Sequence, residues 1–212
     1  MKLEHLRYDE ELKFFHRGDS EIFVHNEQKS YGKLGDMKGK KILDVGGHIG
    51  WFTKFCLDLG ADSVVAIEPD PVTAGIYRMN HKGMLYEGAV VSDGRESLTL
   101  QLSHTYPSNN RSDREVRGRD GVEVKCYDFQ TLINEHKPDI IKVDIEGAEY
   151  GLNWDIPDFV TAIAIEYHQF DPQMLEQQRK LHSSLLAQGF DAVVQPKDKI
   201  TFQKITTGVY RR

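Results

Sequence analysis

The stretch KILDVGGHIGWF, residues 41–52, decides the fold. Ile42, Leu43 and Val45 flank Asp44 in a run that reads as a short buried β-strand. The run breaks at once into Gly46, Gly47 and Gly50. An amphipathic helix comes next over GWFTKFCLDLG, residues 50–60, closed by Gly60. Glycines at a strand-to-helix junction let the backbone approach a ligand with no Cβ in the way. The spacing is GGxxG, which departs from the dinucleotide fingerprint GxGxxG, and a plain tight turn also accounts for it. Asp44 can take a ligand's ammonium group or order the loop through backbone N–H groups.

The next strand, SVVAIE (63–68), ends in Glu68, 18 positions after Gly50. An acid at the tip of a second strand, at about that distance from a glycine loop, is placed to take both hydroxyls of a ribose. Its competing role as a helix cap is weaker, because Asp70 and Pro71 already open the helix DPVTAGIYRMNHKG (70–83). Strand-like runs then occur in LYEGAVVSD (85–93), ESLTLQL (96–102) and VEVKCYD (122–128). FQTLINEHK (129–137) reads as a short helix, DIIKVDIEG (139–147) and VTAIAIEYH (160–168) as strands. PQMLEQQRKLHSSLLAQGF (172–190) is an amphipathic helix. DAVVQP (191–196) and KITFQKITTGVYRR (199–212) are strands able to pair as a hairpin. Strands alternating with helices imply an α/β fold with a doubly wound parallel sheet, here with an antiparallel strand pair at the end. Such sheets bind ligands beyond the carboxyl ends of their strands, where the strand order reverses.

Residues 1–40 read as an N-terminal extension packing on a core domain of residues 41–212. Leu3, Leu6, Leu12 and Phe15 suggest one helical face, EIFVHN (21–26) alternates like a short strand, and KSYGKLGDMKGK (29–40) reads as loop. The polar stretch 103–121 is long for a compact domain and holds four arginines within RSDREVRGRD (111–120). It reads as a solvated loop or as a lid over a polar substrate, hinged at Pro107 and Gly118.

Composition narrows the function. Apolar residues make up 39% of the 212 residues, enough for a core, and no stretch is long enough to span a membrane. The charged start, MKLEHLRYDEELKFF, lacks the apolar run of a signal peptide. Cys56 and Cys126 have neither disulfide-framework nor metal-ligand spacing, and Cys56 reads as a buried thiol. A reduced, cytoplasmic setting is expected. A net charge of −6 counts against a nucleic-acid partner.

Polar residues at the tips of the two later strands carry the remaining chemistry: Asp144, Glu146, Glu149, Glu166 and His168. Strand alternation would send Asp144 and Glu146 to one face. Glu149 suits the start of a following helix. Lys142, inside an apolar strand, is expected to pair with a neighbouring acid. His168 stands at the rim, with a side chain suited to taking a proton near neutral pH.

Three segments, ILDVGGHIGWFTKF, VVAIEPDPVTAGIYRMN and DIIKVDIEGAEY, together resemble the FkbM-type family of S-adenosylmethionine-dependent methyltransferases, which are class I and Rossmann-like. The likeness spans residue 41 to about 168, and its most specific phrase is KVDIEGAE, 142–149. The family has Ala-Asn where Gly47 and His48 stand. The resemblance implies a three-layer sandwich with a seven-stranded, mostly parallel sheet whose last strand is antiparallel. It implies S-adenosylmethionine held at its amino-acid end by Asp44, Gly46, Gly47, His48 and Gly50. Glu68 and Pro69 would take the ribose, and Glu87, Gly88 and Ala89 the adenine. Asp144, Glu146 and His168 are the expected catalytic residues, with His168 as proton acceptor. By family analogy the reaction is O-methylation of a small polar molecule, a sugar or glycoside, without nucleic acid or membrane as partner. No residue is assigned to a metal, although hard oxygen ligands at the strand tips would suit Mg²⁺. A nucleotide-dependent oxidoreductase and a catalytically silent cofactor-binding module remain as alternatives.

Overall fold

Along the central strands apolar side chains alternate between two layers, so the sheet they form carries a core on each face. The computed structural model of the chain describes residues 6–18, 21–22, 25, 28–101, 111–112, 121–194 and 204–212. Its strands are β1 (Arg7–Asp9), β2 (Phe14–His16), β3 (Lys41–Val45), β4 (Ser63–Glu68), β5 (Met84–Glu87), β6 (Ala89–Val91) and β7 (Ser97–Gln101). They continue as β8 (Arg111–Ser112), β9 (Gly121–Asp128), β10 (Ile140–Val143), β11 (Ala162–Gln169), β12 (Asp191–Val194) and β13 (Lys204–Arg211). The helices are α1 (Trp51–Asp58), α2 (Pro71–Asn80), α3 (Phe129–His136) and α4 (Pro172–Ala187).

The seven-stranded sheet runs β12-β13-β11-β10-β3-β4-β5. Strands β11, β10, β3, β4 and β5 are parallel, and β13 is antiparallel to both of its neighbours. The seven-stranded, mostly parallel sheet implied by the family resemblance is thus present. The terminal strands do pair, but β13 slots inside the sheet against β11 and leaves β12 at the edge. Leu43, Val45, Ile141, Val143, Ile163 and Ile165 face a core shared with Phe129, Leu132 and Ile133 of α3 and Leu181 and Leu185 of α4. Ile42, Ile140, Ala162 and Ala164 face the opposite core, with Phe52 and Cys56 of α1 and with Tyr31 and Leu34. The strand order reverses between β3 and β10, and sheets of this kind take ligands in the crevice outside the carboxyl ends of the strands at such a point.

A second sheet, β6-β9-β7-β8, packs around Ala89, Leu98, Leu100, Val124 and Cys126. The run LYEGAVVSD is therefore two strands, one in each sheet, parted at Gly88. A Cβ on Gly88 would overlap the Lys125 carbonyl oxygen, so only glycine lets the chain cross beside β9. Arg111 and Ser112 pair with Gln101 and Leu100. The rest of the arginine-bearing stretch read as a lid lies outside the described residues. Among the described residues, no helix is long and apolar enough to cross a membrane.

The local readings of the N-terminal segment differ from the structure where it is described, and Leu3 of the expected helical face lies outside the described residues. In place of a helical face, β1 and β2 form a small hairpin, turned by Asp9 Oδ1 accepting from Leu12 N (2.8 Å) and by Lys13 at φ 51°. Phe14 stacks on Trp51 with centroids 3.7 Å apart, and Leu6, Leu12 and Phe15 pack against the cluster these two rings form with Ile49 and Ile76. Glu21, Ile22 and His25 are helical where EIFVHN suggested a strand; six residues are too few for alternation to decide. Gln28–Leu34, read as loop, forms a 3-10 helix that buries Tyr31 and Leu34.

One side chain ties the hairpin to the core. Asn80 accepts from Phe15 N (2.7 Å) and donates to the carbonyls of Phe15 (3.0 Å) and Ile49 (2.9 Å). Asn80→Ala should cost about 1–3 kcal/mol, because partly buried backbone groups lose their partners. Hydrogen exchange at Phe15 should accelerate more than at Leu43, and equal protection in both proteins would show that the hairpin holds by packing alone.

Candidate active site

Strands β3 and β10 bring Asp44 and Lys142 into register as direct neighbours. Alternation turns both toward the Phe52 side of the sheet. There the Lys142 ammonium donates to Gly46 O (2.7 Å) and lies 3.3 Å from Asp44 Oδ1 and 3.5 Å from Asp144 Oδ2. Asp44 is 0% exposed and also accepts from Thr53 Oγ1 (3.0 Å), whose hydroxyl meets Tyr77 OH (3.0 Å). Burial raises the Asp44 pKa against the pull of Lys142. Burial also presses Lys142 toward neutrality, but Asp44, Asp144 and Glu166 outweigh it and hold the ammonium above the usual lysine range. Lys142 thus pairs with neighbouring acids, as its setting in an apolar strand suggested.

The glycine loop is shaped by these neighbours. Gly46 N and Gly47 N donate to Ile67 O at 3.0 and 2.8 Å. Gly46 sits at φ 82°, and a Cβ there would overlap the Asp144 carbonyl oxygen. Gly50 is at φ 102°, and its Cβ would overlap the His81 ring, which bonds Gly50 O at 2.9 Å. Between them His48 takes φ 50°, a conformation that non-glycine residues enter rarely. Its Nε2 turns toward the N-terminal segment, 3.3 Å from Arg17 Nη2 and 3.5 Å from Glu21 Oε1. Burial drives the His48 pKa down to about 4, so the ring is neutral at pH 7 and accepts from Arg17.

Glu68 ends β4 beside this loop. Its Oε2 accepts from His48 N and its Oε1 from Asp70 N, both at 2.9 Å. Burial pushes its pKa up to about 7. Asp70 caps α2 through Val72 N (2.9 Å) and Thr73 Oγ1 (2.9 Å). Pro69 lies between the two acids. Glu87 pairs with Glu68 across β4 and β5 and forms an ion pair with Arg78. Gly88 N donates to Glu68 O (3.1 Å), and Ala89 is buried at the start of β6.

The later strand tips form a second group. Strand β10 ends at Val143, so alternation does not carry Asp144 and Glu146 to one side. A tight turn does, with Glu146 at φ 55° and Gly147 at φ 102°. His168, 1% exposed, faces both: Nε2 lies 3.9 Å from Asp144 Oδ1, 3.6 Å from Glu146 Oε2 and 3.8 Å from Glu166 Oε1. On its other side Nδ1 meets Glu149 Oε1 at 3.0 Å, and the same oxygen accepts from His168 N at 2.7 Å. Burial depresses the His168 pKa, but the hydrogen bond and charge of Glu149, then Glu146 and Asp144, carry it up to about 10. The ring is therefore held charged by surrounding carboxylates, and an imidazole that already carries its proton does not serve as the proton acceptor its strand-tip position suggested.

Residues 44–192, more than half of the chain, match the family model of the methyltransferase FkbM domain. The chain belongs to the FkbM family of S-adenosylmethionine-dependent methyltransferases. No curated protein matches it by sequence. Its fold is similar to that of a "putative S-adenosylmethionine dependent methyltransferase" from Listeria monocytogenes, at TM-score 0.53 and 9% identity, over 90% of this chain and 99% of the other. Magnesium protoporphyrin IX methyltransferase from Synechocystis PCC 6803, solved with bound cofactor, aligns at TM-score 0.46 and 11% identity, over 91% and 78%.

The Glu68 carboxylate of the methyltransferase is not saturated by the donors around it. A carboxylate offers about four acceptor sites, and the two backbone donors leave capacity for two further donors in a place that water solvates poorly. Sequence reading undervalued Glu149, which suited a helix-dipole acid. Its carboxylate is fully buried, accepting from Gly147 N (2.7 Å) and gripping His168. The signal lay in the repeated acid of EGAE. Arg17 and Glu21 were missed, because nothing local in the extension points to the glycine loop.

Lys142→Met should destabilise the enzyme by about 3–5 kcal/mol, since it strands the buried Asp44 carboxylate. The double variant Lys142→Met/Asp44→Leu should recover much of that loss. Chemical denaturation measures both, and an additive double variant would deny the coupling.

Proposed function

We propose that the enzyme moves a methyl group from S-adenosylmethionine to a hydroxyl oxygen of a small polar acceptor, a sugar or glycoside. The observation carrying this reading is the ring of carboxylates at the carboxyl ends of β10 and β11, where Asp144, Glu146 and Glu166 surround His168 Nε2. Such a wall accepts hydrogen bonds from many O–H donors and repels phosphate. The chain's net charge of −6 acts in the same direction. The cofactor supplies an electrophilic methyl on a sulfonium; transfer leaves S-adenosylhomocysteine and a methyl ether. In this reading the glycine loop takes the cofactor's amino-acid end, with Asp44 ordering the loop from beneath. Glu68 and Pro69 take the ribose, and Glu87, Gly88 and Ala89 border the adenine. Asp144, Glu146 and the charged His168 orient the acceptor hydroxyl, and the carboxylates around the ring take its proton as the new C–O bond forms.

The test is calorimetry followed by turnover. S-adenosylmethionine and S-adenosylhomocysteine should bind and NAD should not, and a panel of sugars and glycosides should yield S-adenosylhomocysteine with at least one acceptor. Binding of NAD in their place would favour the oxidoreductase reading, and binding without turnover on any acceptor class would favour the silent module.

Substitutions at two positions probe the halves separately. Glu68→Ala should weaken S-adenosylmethionine binding by about tenfold to over a hundredfold, the worth of a charge-assisted bond of roughly 1.5–3 kcal/mol. Because Glu68 has its pKa near 7 and only the ionised carboxylate accepts from both hydroxyls, cofactor affinity should fall as pH drops below 7. Glu68→Gln should flatten that dependence, and an unchanged profile would remove Glu68 from the site. His168→Ala should lower kcat by about 10²-fold with cofactor affinity nearly unchanged, because the carboxylates lose the charge that gathers them around the acceptor. A fully active variant would exclude His168 from the chemistry.

A further inference from the structure

We infer that Asp144, Glu146 and His168 form a binding site for one divalent metal ion, with Glu149 as the residue that aims the imidazole. One ligand atom from each of the three residues lies within 4.8 Å of the others. His168 Nε2 is buried and has no hydrogen-bond partner, although it faces oxygens of Asp144 and Glu146 at 3.9 and 3.6 Å. Those gaps are too long for hydrogen bonds. They suit two ligands on one ion, whose bonds run about 2.0–2.6 Å.

The ring's other nitrogen supports the assignment. Nδ1 is engaged by the fully buried Glu149 carboxylate at 3.0 Å, which fixes the ring so that Nε2 presents a lone pair to the cluster once a metal displaces its proton. Metal-binding histidines are oriented by a carboxylate in this way. The charges agree, because Glu166 Oε1 lies a further 3.8 Å from Nε2, and the Lys142 ammonium contacts the outer oxygen of Asp144, Oδ2. Asp144 Oδ1 is left pointing at the centre. Glu146, held at φ 55°, is turned inward at some conformational expense, as is common where geometry serves a ligand. One nitrogen and two carboxylates suit Mn²⁺ or Mg²⁺. Three protein ligands on a six-coordinate ion leave positions for acceptor oxygens, and a bound hydroxyl loses its proton more readily. That use of the ion rests on the proposed O-methylation, whereas the site itself does not.

The experiment is a titration of the full chain with Mn²⁺, following the free-ion electron paramagnetic resonance signal, after dialysis against chelator. Saturable uptake of one Mn²⁺ per chain is expected. Uptake should vanish in His168→Ala and in Glu146→Gln, the latter on a partly exposed turn where folding is not at stake. In Glu149→Gln affinity should drop by about 10–100-fold while S-adenosylmethionine still binds, which a merely unfolded protein would not allow. No uptake by the unaltered protein, or uptake unchanged in Glu146→Gln, overturns the site. Loss of S-adenosylmethionine binding alone would overturn the functional reading and leave the metal titration standing.

Discussion

A single buried ammonium holds the two halves of the crevice together. Lys142 crosses from β10 to the Gly46 carbonyl and the Asp44 carboxylate, both at the end of β3, while keeping Asp144 within 3.5 Å. A buried charge left alone costs several kcal/mol, so the pair must form or neither partner is tolerable. Register makes it form: Lys142 and Asp44 are opposite one another in a parallel ladder, and a slip by one residue would put the ammonium into the apolar layer of Ile141 and Val143. The polar seam therefore fixes the alignment of the strands between which the sheet reverses.

The loops at the strand ends depend on that alignment. Asp144 N donates to Val45 O at 3.0 Å, continuing the ladder one residue past β10 and pressing the Asp144 backbone onto Gly46. The first glycine of the knot is thus demanded by the partner strand, whatever it does for a ligand. Beyond it, His48 and Glu146 both hold positive φ, one in each loop facing the crevice. Conformations of this kind cost of order 1–3 kcal/mol and persist where surroundings over-determine them. Here those surroundings are Arg17 and Glu21 on one side and the His168 cluster on the other.

The sheet was legible because its signals are local and repeated. KILDV, SVVAIE and VTAIAIEYH are short apolar runs, Asp70-Pro71 marks a helix start, and GGHIG marks a turn. Lys142 and its acids could be paired from strand position alone. The N-terminal extension was misread for the opposite reason: β1 and β2 are three residues each, and what holds them as strands is a side chain 65 positions away, Asn80, bonding Phe15. Glu149 was visible as an acid but not as a partner of His168, since its role depends on how the turn Asp144–Gly147 folds back. The pairing of Asp144 with Glu146 was anticipated from alternation and arises from that turn.

The two halves of the crevice are built from different materials. On the β3–β4 side, Gly46, Gly47, His48 and Asp70 bond through their backbone amides, to the Ile67 carbonyl and the Glu68 carboxylate. On the β10–β11 side the groups around His168 are nearly all carboxylates, and side-chain identity sets the arrangement. A backbone cradle tolerates substitution around it as long as the glycines remain, while a carboxylate cluster changes character with each residue. Under the proposed function, specificity for the acceptor can therefore shift by altering Glu166 without disturbing Glu68 and its loop. Lys142 and Asp144 are the exceptions, because they belong to both sides, and under the proposed function a change there moves cofactor affinity and turnover together.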